Sequence, residues 1–215
     1  MVARAAIFDF NGTVSHDEPI LAQIFVDLFA KHGRPLSVQE YYDELAGLSD
    51  PEIVRTWLGA DHPAVDDVIA ERVERYRAAV ADGSTVPAAV REAVRFAADR
   101  VPVAVVSGAA RAEIEPVLDA SGLAPLVTTV VSSDDVERGK PDPEGYVRAL
   151  AELDGGLDPA DVVVFEDTEA GIAAAKAAGM RCVALLGTLT PERLKEADEV
   201  AEKLDVDLVK RFVDP

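Results

Sequence analysis

The chain has 215 residues, enough for one sizeable domain or a core with a smaller insert. Forty acidic against 21 basic residues give a formal charge of -19, a surface that repels nucleic acid and anionic membrane and argues against both as partners. The single cysteine, Cys182, excludes an intramolecular disulfide and a cysteine-based zinc cluster. No apolar run approaches the roughly 20 residues that span a bilayer, and the opening residues carry no secretory pattern, so a cytoplasmic protein is expected.

The first apolar segment, "ARAAIFDF" (3–10), reads as a buried strand. From Val14 to about Ser84 the pattern turns helical: "EPILAQIFVDLFAKHG", "SVQEYYDELAG", "DPEIVRTWLG" and "PAVDDVIAERVERYRAAVADG". Ile20, Ile24, Leu28 and Phe29 recur at helical spacing. Ser37 and Asp50 are the expected N-caps, and Gly33, Gly47 and Gly59 the expected stops. Strands then alternate with helices: 101–107, 126–132, 161–167 and 180–186 are the strands, and Pro87, Gly122 and Gly179 mark helix ends. A last helix is predicted for "TPERLKEADEVAEKL", with a Thr cap and Pro at its first position. The sum is an α/β protein with a parallel sheet covered on both faces, residues 1–14 and 85–215, and a helical insert, residues 15–84.

In such sheets ligands sit beyond the carboxyl ends of the strands. The first strand ends in Asp9, the second in Ser107 followed by Gly108, the fourth in Glu166 and Asp167, and the loop after the third carries Lys140 in "ERGKPDP". A nucleophile, a hydroxyl, a bare backbone, a cation and an acidic pair suit a phosphoryl group with a divalent metal. Asp9 can ligate with one oxygen and attack with the other. Gly12 permits the positive φ that turns backbone N–H groups toward an anion. Ser107, the Gly108 amide and Lys140 suit the non-bridging oxygens, and neighbouring acids at a strand end call for a hard cation such as Mg²⁺. Taken singly, Asn11-Gly12 is also a turn former, and Ser107 and Asp167 are also N-cap residues. Their agreement in order is the stronger signal.

"FDFNGTV", "VVSG", "GKPDPEGY" and "VVFEDTEAGIAAAKAAGM" resemble, in order, the four motifs of the haloacid dehalogenase-like superfamily. The nearest likeness is to its β-phosphoglucomutase and phosphoglycolate phosphatase branch, where "DEPI" stands in for "SEPL". The resemblance implies a Rossmann-like core, a small α-helical cap and Mg²⁺-dependent hydrolysis of a small phosphorylated metabolite; a monomer or weak homodimer is the expected state. The same likeness implies Asp9 as nucleophile and Lys140 as its catalytic partner, with Phe10, Asn11, Ser107, Gly108 and Lys140 about the phosphate; Arg111, just past the second motif, is a candidate substrate contact or else a surface-helix arginine. Mg²⁺ would sit on Asp9, the Asn11 carbonyl oxygen and Asp167, with Glu166 close by or one shell out.

Position 11 departs from the pattern. The family's phosphatases usually carry Asp there as general acid and base, help commonly worth about 10²–10⁴ in rate. An amide has no proton to relay near neutral pH. Four readings follow: a slow phosphatase or one whose leaving group needs little protonation; a relay from His16, Asp17 or Glu18; an engineered Asp→Asn change; or a catalytically impaired binder of a phosphometabolite. Among rival activities, a dehalogenase would not need Glu166 and Asp167. A phosphonoacetaldehyde hydrolase needs a cap lysine, and only Lys31 lies in the insert, outside the "LAGLSD" loop. A phosphomutase needs cap cations where Ala46 and Asp50 stand.

Overall fold

A computed structural model describes residues 2–153 and 156–214. Six parallel strands form one sheet in the order β3-β2-β1-β4-β5-β6. They are β1 (Ala5–Phe8), β2 (Val103–Val106), β3 (Thr129–Val131), β4 (Val162–Glu166), β5 (Arg181–Leu185) and β6 (Glu199–Ala201). β1 lies in the middle, with Ile7 level with Ala104 of β2 on one side and Val164 of β4 on the other. Every residue of β1, β2 and β4 is buried, which is why these segments read as unbroken apolar runs. Phe8 stacks on Phe165 across β1 and β4, with ring centres 5.0 Å apart. The reversal of strand order between β1 and β4 opens the crevice where doubly wound sheets hold ligands.

The helices that cover the sheet are α5 (Ala88–Ala98), α6 (Arg111–Ser121), α7 (Glu144–Leu153), α8 (Glu169–Ala177) and α9 (Val206–Val213). Gly122 ends α6 in the left-handed conformation, at φ 74°. Between β1 and α5 come α1 (Glu18–Lys31), α2 (Val38–Glu40) running into a π-helical turn (Tyr41–Leu45), α3 (Asp50–Leu58) and α4 (Val65–Val80). The α1 stripe is buried at Ile24, Leu28 and Phe29 and half-buried at Ile20. Phe29 stacks on Trp57 of α3, which ties the insert to itself. Among the described residues, no helix is long and apolar enough to cross a membrane.

Two local expectations fail. Ser37 caps α2 as predicted, but α3 is preceded by Ser49, whose N–H and Oγ donate to Glu52 at 2.9 and 2.6 Å. Asp50 is instead the first helical residue and faces Arg72 at 3.2 Å. The predicted helix over 190–204 is absent. Turns follow Thr190, and residues 199–201 form β6 against β5. Helix propensity in "PERLKEAD" is a weak preference. It loses to tertiary bonds at Asp198, whose carboxylate accepts from the Cys182 N–H (2.8 Å) and from Lys176 (2.5 Å). The true last helix is α9, capped by Asp205 through the Leu208 N–H at 2.9 Å.

Candidate active site

Asp9 leaves β1 still in register, its N–H donating to the Phe165 carbonyl at 2.9 Å. The chain then turns tightly: the N–H groups of Val14 and Ser15 both reach the Phe10 carbonyl at 2.9 Å. Gly12 holds φ at +78°, and a Cβ there would overlap the Asp167 carboxylate, so both conformation and space demand glycine. The Phe10 side chain is buried in the core, which leaves only its backbone for the site.

Four strand ends converge. The Lys140 ammonium donates to Asp9 (2.5 Å), Glu166 (2.5 Å) and the Val106 carbonyl (3.2 Å), and it precedes a cis bond to Pro141. Glu166 is saturated: besides Lys140 it accepts from the Tyr146 hydroxyl (2.8 Å), the Asp167 and Thr168 N–H groups and the Thr168 hydroxyl. A Cβ at Gly171 would collide with this carboxylate, which accounts for the glycine one turn into α8. Asp167 receives the Thr188 hydroxyl and, at 3.5 Å, that of Thr13. Oxygens of Asp9, Glu166 and Asp167 lie within 4.8 Å of one another, all three residues being buried. Asp9 Oδ2 has no hydrogen-bond partner.

The electrostatics follow from three carboxylates around one ammonium. Burial pushes the Asp9 carboxyl up to about 7, with Lys140 opposing and Glu166 adding to the rise. Burial, then Asp9 and Glu166, push Asp167 well above the usual range. Burial works against the charge on Glu166 too, but Lys140 and the hydrogen bonds hold it low. Lys140 is raised, because its two carboxylates outweigh the burial that would lower it. A second cation would relieve what Lys140 leaves uncompensated.

Ser107 faces Asn11, its hydroxyl 3.4 Å from Oδ1, while Gly108 beside it is exposed. Arg111 stays outside this group: its guanidinium is taken up by Asp135 (2.6 Å), the Val130 carbonyl (2.8 Å) and Glu115 (3.1 Å). Of the three residues weighed as relays, His16 is exposed, whereas Asp17 is buried with Oδ2 3.0 Å from Asn11 Nδ2. Glu18 accepts from the Tyr41 hydroxyl at 2.8 Å, and burial pushes its carboxyl up to about 7.

Several participants escaped the sequence reading. Tyr146 lies in the quoted "GKPDPEGY" stretch, and Thr188 follows β5, where the strand-end rule applies equally. Arg72 and Tyr76 on α4 give no local signal beyond their spacing on one helical face. Arg72 pairs with Asp50 and with Glu113 of α6, and its guanidinium lies 5.0 Å from the Tyr76 ring centre. The negative charge expected at Asp50 is therefore countered from within the insert.

Residues 3–179 match the model of the haloacid dehalogenase-like hydrolases. The chain is 36% identical over 217 residues to validoxylamine A 7'-phosphate phosphatase of Streptomyces hygroscopicus subsp. limoneus, covering 94% of each chain. The crystal structure of CbbY from Rhodobacter sphaeroides in complex with phosphate superposes with a TM-score of 0.82 at 26% identity, covering 96% of each chain. An Asp→Asn mutant of that CbbY, in complex with xylulose-(1,5)bisphosphate, gives 0.81 at 27% identity over 94% of this chain and 95% of that one. With a family match across most of its length and a Rossmann-like sheet whose strand ends carry the acidic cluster, this chain belongs to the haloacid dehalogenase-like hydrolases.

Proposed function

We propose that the protein is an Mg²⁺-dependent phosphatase of a small phosphorylated metabolite, with Asp9 as nucleophile. The observation that carries this reading is the gathering of Asp9, Glu166 and Asp167 around one lysine at the carboxyl ends of the strands. The residues present fit a hard divalent cation: every donor is an oxygen, Asp9 Oδ2 is buried without a partner, and the carboxylates outnumber the ammonium. Asp9, Asp167 and the Asn11 carbonyl would hold the ion. Glu166, saturated by other groups, acts by holding Lys140. When bound, the ion supplies positive charge that keeps Asp9 ionised and balances the phosphate.

The Asp9 carboxylate attacks phosphorus in line, and the ester P–O bond breaks with its electron pair on the leaving oxygen. Water then attacks the phosphoryl-aspartate, releasing phosphate and restoring Asp9. Lys140, the Ser107 hydroxyl and the Gly108 N–H steady the non-bridging oxygens, and the residue 10–11 backbone lines the same pocket. Asn11 gives no proton to the leaving oxygen and takes none from the attacking water, so the first proton comes from solvent and the second returns to it, which slows both halves. Residues 15–84 act as a cap on the core formed by 1–14 and 85–215, opening near 14–18 and 82–87 to exchange ligands. The reading places the protein in the cytoplasm, as a monomer or weak homodimer. The phosphatase named among its relatives and the phosphate-bound CbbY support the substrate class.

The test is phosphate release from p-nitrophenyl phosphate, sugar phosphates and phosphoglycolate with Mg²⁺ or with chelator. Turnover should require the ion and fall by about 10³-fold or more in Asp9→Asn. No turnover by the parent chain, or undiminished turnover in Asp9→Asn, would overturn the reading.

A further inference from the structure

The Asn11 carboxamide is held from three sides. Its Nδ2 donates to Asp17 Oδ2 and to the Tyr76 hydroxyl oxygen, both at 3.0 Å, and its Oδ1 lies 3.4 Å from the Ser107 hydroxyl. The one hydrogen of the Tyr76 hydroxyl goes to Asp17 Oδ2 at 2.5 Å. Both neighbours of Nδ2 are therefore acceptors, and an amide with two N–H groups answers both. Asp17 and Tyr76 are each 0% exposed, so water cannot take over these bonds. A carboxylate in place of Asn11 would face the Asp17 carboxylate across the same short contact, where the two repel unless one of them is protonated. Tyr76 comes from α4, so the fixing reaches across from the insert to the loop after β1.

We propose that Asp17 and Tyr76 are positioning residues that specify an amide at position 11. They hold Asn11 with Oδ1 turned toward Ser107, and this corner of the site carries its carboxylate at 17 instead of 11. On this account Asn11 is an integral part of the site, matched by its neighbours, and restoring an acid at 11 alone harms the protein. The kinetic half of the proposal rests on the phosphatase reading; the stability half does not.

Four chains test it: the parent, Asn11→Asp, Asp17→Asn and the exchange Asn11→Asp/Asp17→Asn. At pH 8 without metal, Asn11→Asp should melt about 5 °C or more below the parent. The exchange should recover most of that loss, because donor and acceptor merely change sides. In the phosphatase assay kcat should fall in Asn11→Asp with KM within about twofold, and the exchange should bring kcat back to the parent's or above. Tyr76→Phe should lower kcat several-fold in folded protein, which a purely structural role would not do. If Asn11→Asp fails to fold while the exchange folds, the proposal stands. If neither folds, Asn11→Ala, Tyr76→Phe and their combination should lose stability non-additively, and additive losses would refute it. Asn11→Asp as stable as the parent and faster, with nothing gained by the exchange, would overturn it. Absence of turnover in the parent defeats the phosphatase reading, while the melting cycle still decides this one.

Discussion

Two polar clusters lie on either side of Asn11, and they are balanced differently. On the sheet side, three buried carboxylates share Lys140, and Asp9 keeps an oxygen without a partner. On the insert side, Arg72 is met by both Asp50 and Glu113, and Tyr76 and Asn11 both serve Asp17. Buried charge is costly unless paired. The first cluster brings three carboxylates close enough to share a cation from outside. In the second, Arg72 meets Asp50 and Glu113 while Asp17 has only neutral donors, and Asp17 Oδ1 and Arg72 Nε lack hydrogen-bond partners. The sheet side is suited to bind and react, the insert side to fix the cap and orient Asn11.

The sharpest way to break this contrast is to remove each lysine or arginine in turn. Lys140→Met should cut kcat by about 10²–10³-fold, the usual effect of losing one preorganised charge at a reacting centre. Arg72→Met should act on stability with little effect on turnover, since Glu113, 2% exposed, loses its partner outside the Asp9 cluster. Breaking a buried pair costs about 3–5 kcal/mol, or about 6–20 °C in Tm for a chain of this size. Its kcat in folded protein should change only a few-fold. Kinetics and calorimetry on both variants check this; an Arg72→Met chain that melts with the parent but loses turnover would erase the distinction.

A smaller effect sharpens the insert side. Burial pushes Glu18 up to about 7 from 4.5, so the folded chain holds a proton there that the unfolded chain has released. Stability contributed by this group is intact at low pH and declines as pH rises between those values. Glu18→Gln keeps an acceptor for Tyr41 and removes the titration. Its Tm relative to the parent should therefore rise from pH 5 to pH 8, which melting curves at several pH values in chelator would show. A constant difference would mean that Glu18 does not titrate in this window.

The same division marks what the sequence made legible. Asp9, Ser107, Lys140, Glu166 and Asp167 follow strand ends or their loops, and a parallel sheet brings such positions together by rule. Thr188 obeyed that rule unnoticed. Tyr76 reaches Asn11 from 65 positions away and Arg72 reaches Glu113 from 41, and no local pattern records either pairing. Arg111, read from its place after the second motif as either a substrate contact or a surface-helix arginine, is held on the α6 surface by Asp135 and Glu115. At 190–204 local propensity pointed to a helix, and the open edge of β5 took a strand.

The central claim is most directly tested by looking for the phosphoryl group itself. On the proposed reading, in which Asn11 slows hydrolysis, rapid acid quench during turnover of p-nitrophenyl phosphate with Mg²⁺, followed by peptide mass spectrometry, should find phosphate on Asp9 and none in Asp9→Asn. Steady release of phosphate with Asp9 never modified, or modification of another residue, would contradict the account.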